Sequence, residues 1–118
     1  MESVAPRIAA WIAALKPEGV PPEVMEQAKG CVLDQLGCQI VGAAWPHTRP
    51  VLDHVNALGC RGEASIVGGG RTAAIYAAYA NASFGHSMEF DDGHVMSGHP
   101  GAVVIPAALA FAERDRRH

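Results

Sequence analysis

Apolar residues recur at helical spacing along most of the chain. Val4, Ile8, Trp11, Ile12 and Leu15 fall at i, i+4, i+7, i+8 and i+11, which predicts an amphipathic helix. Ser3 is its candidate N-cap, and Pro6 is tolerable because it sits in the first turn. Lys16-Pro17-Glu18-Gly19 ends that helix, and Pro21-Pro22-Glu23 starts a second with proline near its first position and a carboxylate in its first turn. Val24, Ala28, Cys31, Val32, Leu36 and Ile40 carry the second helix onward. From Gly30 it is apolar nearly all round, which predicts burial against several neighbours. Gly30 and Gly37 are expected to admit a second helix at close range, and Asp34 to act as a cap or salt-bridge partner.

Trp45-Pro46-His47 breaks the pattern. A shorter helix is then predicted from Thr48 and Pro50 through Val51, Leu52, Val55 and Leu58, with Gly59 as its natural terminator. His47 and His54 read as surface histidines. Ala64–Val67 suits a short extended segment, followed by Gly68-Gly69-Gly70. Strand, glycine turn and helix start would suit a phosphate cradle. Neither G-x-G-x-x-G nor G-x-x-x-x-G-K-[ST] is present, so a plain turn is expected. Alanines at 73, 74, 77, 78, 80 and 82 then mark a helix from Thr72 to about Phe84, small enough on every face to sit at the centre. A last helix is expected over 100–112, with Pro106 in its first turn or kinking it, before a polar end at residues 113–118.

Composition narrows the class. A chain of 118 residues makes one domain, and a globule of that size buries roughly two-thirds of its unfolded surface. Apolar residues are 49%, but many are alanine, aromatics are 6% and charged residues 18%. Such a core depends on close backbone approach, and the balance suits part of a larger core better than a finished small protein. A net charge of −3 argues against nucleic acid, and Arg114, Arg116 and Arg117 read as a solvated tail. No apolar run reaches the roughly 18 residues of a membrane span. The N-terminus, with Glu2 and Arg7, lacks a signal-peptide pattern, so the chain reads as cytosolic. Cys31, Cys38 and Cys60 are odd in number; the first two lie seven apart, roughly 10 Å along a helix, and read as reduced thiols.

The polar groups concentrate in one place. His86 to Gly101 holds three of the six histidines and three of the twelve acidic residues, between two apolar helices. Three readings of His86, Glu89, Asp91, Asp92, His94 and His99 stand side by side. Asp91-Asp92-Gly93 is an ordinary turn former, so a plain polar loop is one. Imidazole and carboxylate ligands suit a divalent metal, although no H-E-x-x-H spacing is present. The third is a metal-free acid–base site, with imidazoles steadied by carboxylates and His99 at a helix entrance that favours a substrate carboxylate.

The run Ala80-Asn81-Ala82, His86-Ser-Met-Glu-Phe-Asp-Asp-Gly-His, Gly98-His99-Pro100-Gly101 and Ile105-Pro-Ala-Ala-Leu-Ala resembles the MmgE/PrpD family. Ala28-Lys29, Leu33-Asp34-Gln35-Leu36-Gly37 and Glu63-Ala-Ser-Ile-Val-Gly extend the resemblance over nearly the whole chain. That family includes 2-methylcitrate dehydratase, cis-aconitate decarboxylase and iminodisuccinate epimerase. The resemblance implies an all-α fold, a helical-bundle portion of the family's helical domain with at most the one extended segment near 64–67. It implies an active site shared with a smaller α+β lid domain.

The family pattern has an acidic residue four before a threonine, then a histidine opening H-P-x-G; here those positions hold Glu89, Gly93 and His99. A longer acidic arm and a missing hydroxyl bear on substrate choice. The expected function is a cofactor-independent lyase or epimerase acting on a small di- or tricarboxylate. His99, Asp92 and Glu89 are its candidate catalytic residues; His94, Gly93 and His86 are candidate substrate contacts, with no metal. Family chains are several times longer. Residues 1–118 are therefore expected to be an N-terminal fragment, a truncation or half of a split enzyme. The expected partners are a second copy through the helical domain and a separate chain supplying the lid, with neither nucleic acid nor membrane. The alternatives are a catalytically incomplete packing or dimerisation module and a metal-dependent hydrolase.

Overall fold

Each helix expected from the apolar pattern forms. In the structure, a computed structural model describing residues 3–116, α1 covers Val4–Ala14, α2 Pro22–Ala44, α3 Arg49–Ala57, α4 Ala74–His86 and α5 Pro100–Arg114. Glu2 and the Arg117–His118 end of the polar tail lie outside the described residues. The fold is all-α apart from one hairpin of two short strands, β1 (Ala64–Ser65) and β2 (Arg71–Thr72). Residues 1–30 and 31–118 make two units.

In the first unit, α1 carries the Val4–Leu15 stripe, and none of its residues is buried. Ser3 stands at the N-cap with extended backbone, but its side chain makes no capping bond. Pro17–Gly19 forms a single 3-10 turn, and α2 then begins at Pro22.

The second unit is organised on α4, as its alanines suggested. Ala74, Ala77, Ala80 and Phe84 of α4 join Val55 of α3, Ala64 and Ile66 of the hairpin, and Ala110 of α5 in one core. Methyl-sized residues bring the helix backbones close, so little volume separates the layers. α3 ends as expected: Gly59 adopts φ +60° and its amide bonds Asn56 O at 3.2 Å. Pro106 lies seven residues into α5 and is fully buried, so the first-turn placement is corrected.

The extended segment is real but has a partner that periodicity did not reveal. β1 pairs antiparallel with β2 in the register Ala64↔Thr72 and Ser65↔Arg71. The helix expected from Thr72 therefore starts at Ala74. Gly68-Gly69-Gly70 is the turn between the strands, closed by Ile66 N to Gly70 O at 2.9 Å. Asn81 of α4 pins the hairpin: its Nδ2 donates to Ser65 O at 3.0 Å and its Oδ1 accepts from Val67 N at 2.9 Å. Glu113 of α5 takes hydrogen bonds from Ser65 Oγ at 2.8 Å and Arg71 at 3.0 Å. Glu63 Oε2 accepts from Ala74 N at 3.1 Å and so caps α4 from the strand side.

The expectation for α2 needs the largest correction. Beyond Gly30 its buried residues are Gln35, Cys38, Gln39 and Gly42, while Leu33 is 73% and Ile40 62% exposed. The glycines that matter are Gly42 and Gly85, not Gly30 and Gly37. A Cβ at 30 or 37 would meet nothing within 4 Å. A Cβ at 42 would strike the Phe84 carbonyl, and one at 85 would strike the Gln35 amide. Where helices approach this closely only flat or absent side chains fit, and the aliphatics turn outward. Asp34 is exposed, with no ion pair among the described residues. Burial pushes the Cys38 thiol above its ordinary pKa, and Asp34 and Asp91 push it the same way. A neutral thiol is a poor nucleophile, which agrees with a reduced structural cysteine.

Candidate functional site

The polar segment connects α4 to α5, and its shape follows from how each helix ends. His86 is the last residue of α4, and Ser87 caps the helix by bonding Phe84 O through its hydroxyl at 2.8 Å. The chain then turns at Glu89, which adopts φ +52° and whose amide bonds His86 O at 3.2 Å. That left-handed position is one glycine or asparagine usually fills. It leaves the Glu89 side chain exposed.

The next two residues divide the work. Asp92 Oδ1 accepts from Gly101 N at 2.8 Å, in the first turn of α5, where unpaired amides and the helix dipole favour a carboxylate. A Cβ at Gly101 would strike that carboxylate, so the glycine is what admits it. Asp91 turns inward, and none of its side chain is exposed. Its Oδ1 lies 3.1 Å from His86 Nδ1 and its Oδ2 lies 3.3 Å from His99 Nδ1. The His86 contact has hydrogen-bond geometry; the His99 contact is close but not aligned. The two imidazoles meet edge to face with centroids 4.4 Å apart.

A cleft of about 400 Å³ opens beside them between α4 and α5. Ala82, Ser83 and His86 line one side; His99, Ala102 and Val103 line the other. Two half-exposed imidazoles on a largely apolar wall suit a small ligand held by a few polar groups. His86, Asp91 and His99 also offer donor atoms within 4.8 Å of one another, a set that would accept a divalent cation.

Of the expected site residues, the structure brings His86 and His99 together and puts Asp92 at the α5 entrance that holds His99. Glu89, Gly93 and His94 are not among the residues lining the cleft, and all three are exposed. His94 closes the loop tip instead: it pairs with Gly98, and its Nδ1 accepts from Met96 N at 3.2 Å. Asp91 belongs to the polar cluster read from the sequence but is not among its candidate catalytic or substrate-contact residues. Nothing in Asp91-Asp92 tells which carboxylate turns inward, because the two side chains are identical and differ only in what surrounds them.

The pattern of the MmgE/PrpD N-terminal domain matches residues 6–118. The cis-aconitate decarboxylase-like protein oryM of Aspergillus oryzae is 32% identical over 105 residues, covering 87% of this chain and 22% of that protein. The cis-aconitate decarboxylase of Aspergillus terreus is 30% identical over 112 residues, 93% of this chain and 23% of that enzyme. The mouse (Mus musculus) cis-aconitate decarboxylase is 27% identical over 115 residues, 96% of this chain and 24% of that enzyme. The chain thus spans less than a quarter of the length of these relatives, and no solved structure matches it. Because the match runs through the hairpin, the alanine helix and the histidine loop alike, the chain belongs to the MmgE/PrpD family by its N-terminal domain.

Proposed function

We propose that residues 1–118 are the N-terminal part of a helical domain that supplies the histidine side of a lyase active site for a small di- or tricarboxylate. One observation carries the reading: two histidines of the family pattern meet over a buried carboxylate at an open cleft. Imidazole can take a proton beside a carboxylate or carbonyl and return one as hydroxyl or carboxylate departs. His99 is the proposed acid–base residue, since it lines the cleft from the start of α5 and touches the buried Asp91 carboxylate. His86 is the second imidazole. Asp92 acts through its hold on the α5 entrance. Glu89, Gly93 and His94, exposed on the loop, are proposed to meet substrate only with the rest of the enzyme in place. The names of the relatives favour decarboxylation over epimerisation. A cytosolic setting is part of the proposal. Among the described residues no helix is long and apolar enough to cross a membrane, and the three cysteines form no disulfide.

In an enzyme complete with its lid, His99→Ala is expected to lower turnover of cis-aconitate or a related tricarboxylate by roughly 10²–10⁴-fold, the usual share of a positioned acid–base group. Undiminished turnover would remove His99 from the chemistry.

A second reading is a packing or dimerisation module, favoured by the apolar residues left exposed: Trp11, Leu33, Ile40, Val103 and Val104 are each 60% exposed or more. The partners would be a second copy or a chain carrying the remaining domain. Sedimentation of the chain alone is expected to give a dimer or larger species, and a strictly monomeric chain at tens of micromolar would count against self-association.

A further inference from the structure

We infer that Asp91 is the positioning residue of this site: one buried carboxylate holds both imidazoles by Nδ1 and leaves Nε2 of each for a molecule in the cleft. The geometry supports it from three sides. The Asp91 side chain is wholly buried, and the groups in contact with its oxygens are His86 Nδ1 at 3.1 Å and His99 Nδ1 at 3.3 Å. An ionised carboxylate only accepts hydrogen bonds, so a nitrogen facing it must carry the proton. His99 Nδ1 is itself shut off from solvent and has no aligned partner, so Asp91 is the acceptor within reach.

The chain around Asp91 is built to hold it still. The left-handed turn at Glu89 fixes one flank, and the Asp92–Gly101 bond fixes the other. Asp91 thus lies between two anchored points, beneath two rings whose centroids are 4.4 Å apart. A carboxylate that orients an imidazole sets its tautomer, and with it which nitrogen meets the substrate. In a serine-protease triad, changing that carboxylate to the amide preserves the geometry, supplies the wrong tautomer and costs about 10⁴ in kcat. Here one carboxylate serves two rings. The catalytic consequence rests on the lyase reading above; the tautomer assignment does not.

The test reads the ring nitrogens of the ¹⁵N-labelled chain by long-range proton–nitrogen correlation at a pH where histidine is neutral. The expected result is a protonated Nδ1 and bare Nε2 on both His86 and His99. His94, whose Nδ1 accepts from Met96 N, should show the opposite pattern and serves as the internal reference. Asp91→Asn is expected to move at least one of the two rings to the Nε2–H form. In an enzyme complete with its lid it should lower kcat by roughly 10³–10⁴-fold with little change in KM. Should the variant fail to fold, the unsubstituted chain still decides: Nε2–H on either ring overturns the inference. So does stoichiometric zinc in elemental analysis with both Nδ1 atoms metallated. Adding cis-aconitate to an enzyme complete with its lid separates this inference from the lyase reading. Rings with the expected tautomer that no di- or tricarboxylate perturbs would leave Asp91 in its role and sink the lyase reading. Rings perturbed by carboxylate but carrying Nε2–H would do the reverse.

Discussion

Gly42→Ala is expected to destabilise the 31–118 unit by about 3 kcal/mol, at or beyond the upper end of ordinary overpacking. A Cβ at this position would land on the carbonyl of Phe84, with Ser87 Oγ 2.7 Å away. A backbone oxygen inside a helix cannot swing aside as a side-chain tip can, so α2 and α4 would have to separate. The Gly42 carbonyl also accepts from Thr48 Oγ1 at 2.6 Å, which ties the end of α2 to the turn that follows and limits its retreat. Gly37→Ala is the matched control, because its Cβ would meet nothing within 4 Å. There the change removes only glycine's helix penalty and should stabilise by roughly 0.5–1 kcal/mol. Urea denaturation of the pair gives opposite signs if α2 lies on α4 as described. Equal midpoints would mean that it does not.

Phe84→Ala is expected to cost about 3–5 kcal/mol, the range for deleting a buried aromatic. Phe84 is 1% exposed and is the largest fully buried side chain of the described residues. The core cluster that holds it is mostly alanine, with Ala64, Ala74, Ala77, Ala80 and Ala110 beside Val55 and Ile66. Methyl groups attached directly to backbone cannot reach into a cavity as leucine or methionine would, so the site should collapse poorly and the loss sit high in that range. Chemical denaturation measures it. A loss under about 1.5 kcal/mol would show that the core relaxes around the gap.

Much of this fold was legible from periodicity and punctuation. The α1 stripe, the proline entry to α2, the Gly59 stop after α3 and the alanine helix all follow from spacing and local backbone preference. What failed did so for identifiable reasons. α2 is apolar on nearly every side beyond Gly30, so its pattern could not say which side is buried. The answer lies in Gln35, Gln39 and Gly42, which hydrophobicity ranks low and close approach ranks high. β2 is two residues long, too short to carry an alternating signal, and it exists because β1 lies beside it. In the loop, the sequence offers His99 as a catalytic candidate and His86 as a substrate contact without pairing them, and the cleft lies beside both. Asp91 was not singled out, because its importance comes from three dimensions: a helix end, a left-handed turn and a capped helix entrance together turn it inward.

The bond from Glu113 to Ser65 joins residues 48 apart in sequence, whereas the α4–α5 pair is joined by the loop 87–99. Loop-closure entropy grows by about 0.6 kcal/mol per doubling of length, so the hairpin-to-α5 link starts roughly 1 kcal/mol behind the helix pair. Assembly should therefore begin with α4 against α5, where contacts are local, and end with the hairpin fastening across them. That order puts the link late on the folding route. Glu113→Gln would then speed unfolding while leaving the refolding rate nearly unchanged, and slowed refolding would place the hairpin in the nucleus instead. The histidine loop, strung between the first two elements to meet, would be among the earliest parts of the chain to find its shape.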